Sequence, residues 1–265
     1  MKVIKCDLSR ELKSVELHIL ADLHIGDPHC DLDLIKERIK TISETPNAYA
    51  MLNGDIINNS TKTSVGDVYS EALTPMEQLN LAIELLEPIK NKIIAVTNGN
   101  HEFRTWKMDG VDLMRLACQQ LGIEDKYSTT SCLMFLRFGE VSDGHKESKG
   151  TGKLRMVSYV IYMNHGSGGG RKEGAKAIRL ADMSSIVDAD IYIHSHTHLP
   201  MVMKEAFYRT DVRNSSYALV DKLFVNTSAC LKYGGYGETY EFKPSSTDTP
   251  IVLLSGTRKK FKAKL

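Results

Sequence analysis

The sequence predicts an α/β protein built from two packed sheets with helices outside, and three observations carry that prediction. Apolar runs of strand length alternate with amphipathic helical segments up to about residue 198. The part that follows is strand-rich and helix-poor, which calls for a second layer of sheet. Strand after strand also ends in residues able to hold a ligand, at the position where α/β sheets hold theirs, outside the carboxyl ends of the strands. The first such place is Asp22-Leu-His24, between the apolar run Val15–Leu20 and the turn made by Gly26 and Asp27-Pro28.

The remaining elements follow in order. Asp31 to about Glu44 has Ile35, Ile39 and Ile42 at helical spacing with Lys36, Glu37, Arg38 and Lys40 between them, and Pro46 stops it. Ala48–Leu52 is a short buried strand that runs into Asn53-Gly54-Asp55, and residues 58–70 form a polar loop. Thr74-Pro75-Met-Glu77 supplies an N-cap, a Pro at the first helical position and a capping-box Glu for a helix to about Leu86. Lys92–Val96 is the third strand and ends in Thr97-Asn98-Gly99-Asn100-His101-Glu102. Residues 109–121 carry Val111, Met114, Leu116 and Leu121 in a helical pattern. Cys132–Phe138 is a strand, Gly139 to Lys153 a polar hairpin-like excursion, and Met156–Met163 a strand ending in Asn164-His165-Gly166. The basic, glycine-rich loop Ser167–Lys172 leads into a helix to about Ser185; Ala189–Ile193 is a strand ending in His194-Ser195-His196-Thr197-His198. Lys222–Val225 and Ile251–Leu254 are strands of the last part, and Arg258–Lys264 is a basic tail. No linker divides the chain, so residues 1–265 read as a single domain with a short basic C-terminal tail from about 258 to 265.

Composition narrows the function classes. The 34 Lys and Arg against 33 Asp and Glu leave a net charge of +1, so no global field attracts nucleic acid or membrane, and polyanion binding must be local or metal-mediated. No apolar run approaches a membrane span, and the N-terminus has no signal-peptide core. Five cysteines without paired spacing read as reduced, mostly buried thiols, which together predict a cytoplasmic protein.

Five strand ends supply seven potential metal ligands: Asp22 and His24, Asp55, Asn100, His165, and His196 with His198. Such an oxygen and nitrogen set suits manganese, iron or zinc better than an all-thiolate or all-carboxylate site. Seven ligands exceed one ion's ordinary needs, and a shared carboxylate lets them hold two, the clamp used on phosphate esters.

The ordered motifs Asp22-x-His24, Gly54-Asp55, Gly99-Asn-His-Glu102, His165-Gly166 and His196-x-His198 resemble the calcineurin-like metallophosphoesterase superfamily. The resemblance implies a four-layer α/β/β/α sandwich of two mixed sheets with a dinuclear metal site at the strand ends. It implies that Asp22, His24, Asp55 and His198 hold one ion, while Asp55 as a bridge, with Asn100, His165 and His196, holds the second. His101 matches the family histidine that contacts the scissile phosphate or protonates the leaving oxygen. Glu102 stands where the family usually has Asp, a residue that orients this histidine. Ser195 replaces the family's usual Gly, and His194 is an extra histidine, read as a core or supporting residue. His29 and His145 are read as solvated, and His18 as packed.

The implied cofactors are two divalent ions, manganese first, with iron, zinc, nickel or magnesium as alternatives. The implied chemistry is attack of a metal-bridging hydroxide on phosphorus, with His101 aiding departure of the alkoxide. The motif texture resembles the compact nuclease and phosphodiesterase branch, including phage-type members, so DNA, RNA or nucleotides are the expected substrates. Arg104, Lys107, Arg171 and Lys172 flank the motifs as candidate phosphate contacts, and an open groove is expected because no capping insertion is evident. A phosphomonoesterase or protein phosphatase is the alternative, and an inactive scaffold the third reading. Oligomeric state is left open.

Overall fold

A computed structural model describes residues 1–62, 64, 66, 68–142 and 155–265. Most of the expected excursion between Gly139 and Lys153, with His145, lies outside the described residues. In chain order the elements are β1 (Lys2–Asp7), β2 (Ser14–Leu20), α1 (Leu32–Glu44), β3 (Ala48–Asn53), α2 (Pro75–Leu86), β4 (Ile93–Thr97), α3 (Glu102–Asp109) and α4 (Leu113–Gln120). They continue as β5 (Tyr127–Ser128), β6 (Ser131–Phe138), β7 (Val157–Asn164), α5 (Glu173–Asp182), β8 (Ile191–His194), β9 (Met201–Asp211), β10 (Ser216–Asn226), α6 (Gly235–Thr239), β11 (Ile251–Ser255) and β12 (Phe261–Lys264).

The strands form two six-stranded sheets, β1-β6-β7-β8-β10-β9 and β12-β11-β2-β3-β4-β5. Both are mixed: β2, β3, β4 and β5 run parallel while β11 opposes β2, and β7, β8 and β10 run parallel while β6 opposes β7. Because side chains alternate across a strand, β2 sends Leu17 and Ile19 one way and Leu20 the other. Leu17 and Ile19 meet Met134, Tyr159, Ile161 and Ile193 of the facing sheet, which makes the inter-sheet core. Leu20, Leu52 and Val96 pack outward on Ile35, Leu79 and Met114 of α1, α2 and α4. On the far side, Leu180 of α5 and Met183 just after it cover Tyr162, Tyr192 and Phe224. The result is the four-layer α/β/β/α sandwich, and strands buried on both faces explain the unbroken apolar runs.

Asp31 caps α1 by accepting from Leu34 N–H, and Thr74 with Glu77 forms the expected capping box of α2. Four segments differ from expectation. β1 buries only Ile4, so its sequence gives little strand signal, and it is held by parallel pairing with β6. The expected helix over 109–121 begins only at Leu113, behind an Asp112 cap, because Gly110 at φ +70 ends the unforeseen α3 and leaves Val111 exposed. The long β9–β10 hairpin exceeds the short Lys222–Val225 strand, since its outer half is exposed and carries no buried pattern. Most of the basic tail is not a tail: Phe261 is buried in the inter-sheet core and Phe261–Lys264 pairs with β11 as β12. All five cysteines are free thiols, and among the described residues no helix is long and apolar enough to cross a membrane.

Candidate metal centre

The ends of β2, β3, β4, β7 and β8 converge. The loops after β2 and β3 run side by side, with Asp22 N–H donating to Gly54 O (3.1 Å) and His24 N–H to Asp55 O (3.0 Å). Close approach requires glycine twice here: a Cβ on Gly99 would lie 2.2 Å from Asp55 N and Oδ1, and one on Gly54 would lie 2.6 Å from Gly99 Cα.

Ligand-type atoms gather in three overlapping groups, each within 4.8 Å: Asp22, His24 and His198; His24, Asp55 and His101; and Asp55, His165 and His196. Asp55 and His24 each belong to two. Asn100 joins them through its Oδ1, 3.0 Å from His165 Nε2. All seven candidate ligands therefore meet in one place, with His101 beside them, its ring edge-on to His24 at 4.5 Å.

The polar geometry fits cations at this place. Asp22 is fully buried, yet its Oδ1 accepts no hydrogen bond, and His198 Nε2 stands 3.3 Å away. His24 Nδ1 donates to Asn58 Oδ1 (3.0 Å), whose amide nitrogen donates to Glu71 (2.6 Å), so His24 Nε2 is a lone pair; it faces His198 Nε2 at 3.3 Å. Burial and the adjacent His101 hold His24 down to about 3, and burial holds His196 down to about 4, so both present neutral rings. His165 donates Nδ1–H to Asn53 O (2.7 Å) and lies 3.1 Å from Asp55 Oδ2; burial opposes its protonation, but the Asp55 carboxylate raises it to about 10. Inward carboxylates and the lone pairs of neutral rings, with the outer nitrogens of His24 and His165 tied to amide or backbone acceptors, suit divalent ions, and a bound ion would replace the proton that Asp55 draws to His165 Nε2.

The Glu102 carboxylate makes no hydrogen bond to the His101 ring. It accepts N–H groups from Asp55 (3.1 Å), Ile56 (2.6 Å), Ile57 (3.1 Å) and Gly99 (3.0 Å), locking the Asp55 loop to the Asn100 loop. Burial and the Asp55 carboxylate push it up to about 7 against those donors. His101 is instead fixed by Nδ1–H donating to Asn58 O (2.6 Å) and by Arg104 Nη2, 3.0 Å from its Nε2. Ser195 accepts from Asn53 Nδ2 (2.7 Å), which ties the His196 loop to the end of β3. His194 packs beneath Gly166, pairs with Asn226 Oδ1 (2.7 Å) and joins none of the ligand groups. His18 is buried, as expected.

A cavity of about 430 Å³ opens over the cluster. Arg104 and His101 line one part, and the residues from Ala229 to Ser245 line another, so the expected open groove has a wall. Arg171 and Lys172 are exposed beside it, with Arg171 stacked 5.0 Å from the Phe242 ring that does line it. Lys176, Lys232, Lys243 and His29 line the cavity and were not foreseen, because their loops come together only through the fold.

A sandwich whose strand ends gather carboxylates and imidazoles in one place is suited to a metal-dependent hydrolase. The model of the calcineurin-like phosphoesterase family matches residues 23–200, about two thirds of the chain, and the protein belongs to that family. It is a hydrolase of phosphoric ester bonds. Similar solved structures include a predicted phosphoesterase of Streptococcus pneumoniae TIGR4 (13% identity, 95% of this chain and 90% of that one, TM-score 0.38). Others are zinc-complexed Vps29 of Entamoeba histolytica (10%, 94% and 97%, 0.37) and nuclease MPE of Pseudomonas putida (11%, 94% and 87%, 0.36). No curated protein sequence matches this chain significantly.

Proposed function

We propose that the protein is a dinuclear phosphodiesterase acting on nucleic acid or nucleotides, with manganese as its preferred metal. The observation that carries the substrate class is the distribution of charge around the cavity. Arg104 sits on the His101 side without a carboxylate partner among the described residues, and Lys176, Lys232 and Lys243 line the cavity too, Lys232 paired with Asp31 and Lys243 with Glu173. Lys176 donates to Thr197 O (2.7 Å) and likewise has no carboxylate partner among the described residues. A substrate bearing anionic groups on both sides of the reacting one suits this arrangement.

Asp22, His24, Asp55 and His198 would hold one ion, and Asp55, Asn100, His165 and His196 the other. Two such ions supply Lewis acidity toward the phosphoryl oxygens and a lowered pKa for water. Asn58 keeps the His24 lone pair inward, and Glu102 keeps Asp55 within reach of both positions. His101 stands over the cluster with its Nδ1–H held by Asn58 O and Arg104 Nη2 against its Nε2, so Arg104 is placed to bind a phosphoryl oxygen, and His101 would serve the leaving alkoxide with a proton taken up at Nε2 from the attacking water. The test is hydrolysis of bis-p-nitrophenyl phosphate against p-nitrophenyl phosphate with added manganese, together with elemental analysis. Diester preference and two ions per chain are expected; preference for the monoester overturns the diesterase reading in favour of a phosphatase.

A further inference from the structure

The β9–β10 hairpin runs past the sheet that carries it. β9 pairs with β10 over eleven residue pairs, from Met201↔Asn226 to Asp211↔Ser216, whereas β10 pairs with β8 only from Leu223 to Asn226. The outer part is a two-stranded ribbon, and among the described residues no strand pairs with the free edge of β9. At eleven residues this edge is about twice the usual strand length, and an open edge of backbone donors and acceptors is a template for another strand.

One face of the ribbon's outer part is apolar where solvent would favour charge. Tyr208 and Tyr217 are each 72% exposed and Leu219 is 63% exposed, with the two tyrosine rings in edge contact at 5.4 Å. The register sets Tyr208 opposite Leu219 and Thr210 opposite Tyr217, on the same face as Leu223 and Val225. Those last two enter the inter-sheet core, so the exposed patch is that core's face continued beyond its cover.

We propose that a second copy of this chain pairs along β9, antiparallel, about a two-fold axis through Phe207, joining two six-stranded sheets into one. Such an axis, normal to the sheet, keeps each face on its own side, so paired residues must have the same parity. With the axis at Phe207, Glu205 stands opposite Arg209 of the second copy, twice, and Tyr208 stands opposite the small Ala206, twice. An axis at Tyr208 sets Glu205 against Asp211, like charge against like, and an axis at Ala206 sets Glu205 against Phe207 and Arg209 against Met203. Charge and volume select the first register.

The local charges favour it as well. Arg209, Lys222 and Lys259 share the carboxylates of Asp188 and Asp190, three cations around two anions. Glu205 is exposed, stands opposite Lys222 in the β9–β10 register and has no ion pair within 4.0 Å among the described residues. A Glu205 arriving from the second copy balances that excess, at a place removed from the metal centre: Asp190 precedes β8, whereas the ligands follow it.

Sedimentation analysis of the full chain from about 1 to 100 µM tests this. The wild type is expected as a reversible dimer of about twice 29.6 kDa. Glu205→Arg, at an exposed position, places like charges across the axis twice and should weaken the dimer at least tenfold. Ala206→Lys, also exposed, should do the same by obstructing Tyr208. Hydrolysis of bis-p-nitrophenyl phosphate and circular dichroism report that each variant stays folded. Mixing Glu205→Arg with Arg209→Glu restores opposite charges at both pairs and should give a heterodimer. Should Arg209→Glu fail to fold, the two exposed variants decide alone. A wild type that is monomeric throughout, or a dimer unmoved by both exposed substitutions, overturns the proposal.

Discussion

Replacing Glu102 by Gln perturbs the centre without removing a candidate ligand, and the structure gives the size of the effect. The side chain is fully buried and its two oxygens accept four backbone N–H groups, from Asp55, Ile56, Ile57 and Gly99. A carboxylate is acceptor-only, whereas Gln has one acceptor oxygen and a donor NH₂, so two of the four N–H groups would face another donor. A buried donor left unsatisfied costs about 1–3 kcal/mol, so two cost about 2–6 kcal/mol. Burial and Asp55 push the Glu102 carboxyl up to about 7, so a neutral amide recovers some desolvation. The net loss should fall in the lower half, about 2–4 kcal/mol, against the roughly 5–15 kcal/mol that stabilises an ordinary domain. Urea unfolding followed by circular dichroism measures it, and calorimetric titration with manganese should show weaker binding as the Asp55 loop loosens. Glu102→Asp, the residue usual in the family, keeps the charge but falls short by one methylene and should lie in between. A loss under about 1 kcal/mol with unchanged metal affinity would refute the clamp, since buried unmet donors cost more than that.

Asp55→Asn should lower occupancy at both metal positions together, because Asp55 belongs to two of the three ligand groups; elemental analysis showing one full position would count against sharing. His101→Ala should reduce turnover by about 10²–10⁴-fold with both metals retained. Loss of a metal in that variant would make His101 a ligand. Asn58→Ala removes the acceptor that holds the His24 Nδ1 proton and should weaken metal binding by about 10–100-fold in titration calorimetry. Gly99→Ala puts a Cβ 2.2 Å from Asp55 N and Oδ1, so a destabilisation of about 1–3 kcal/mol and a loss of activity are expected from unfolding and rate measurements.

The sequence made the ligand-bearing strands legible because each is buried on both faces and so reads as an unbroken apolar run. Lys92–Val96 and Ala189–Ile193 nearly coincide with β4 and β8 for that reason. β12 was hidden because Lys262 and Lys264 on its outer face outweigh Phe261 on its inner one. α3 was hidden because it buries little besides Glu102 and exposes Trp106 and Met108. Residue type and order located the seven candidate ligands, but the flanking cations followed another rule. Lys176, Lys232 and Lys243 reach the cavity from α5 and from the segment after β10, a meeting that no local pattern encodes. Glu102 shows the same boundary: its type marked it as important, and only tertiary contacts revealed that it holds backbone instead of an imidazole.

One property of the centre joins chemistry to conformation. Asp22, His24, Asp55, His196 and His198 all adopt positive φ, at 50°, 48°, 51°, 65° and 53°. For residues with a Cβ this region is disfavoured by roughly 1–2 kcal/mol each, and it persists only where surroundings over-determine the backbone. Here they do: Asp22 N–H is held by Gly54 O, His24 N–H by Asp55 O, and His196 N–H by Asp22 Oδ2 at 3.0 Å. Each strand end is thus fixed by a neighbouring one, and the strained turns cannot relax singly. Asp and His tolerate the left-handed region better than most residues with a Cβ, so the types that can bind a cation are also types that can make the turn. A Gly would satisfy the turn and supply no ligand, and a Val would do neither. The inter-sheet core of Leu17, Ile19, Tyr159 and Ile193 offsets the strain from a few residues away, holding the strands whose last steps are bent. The demands of cation-binding chemistry and of backbone geometry therefore fall on the same positions, so a few short motifs specify much of this site.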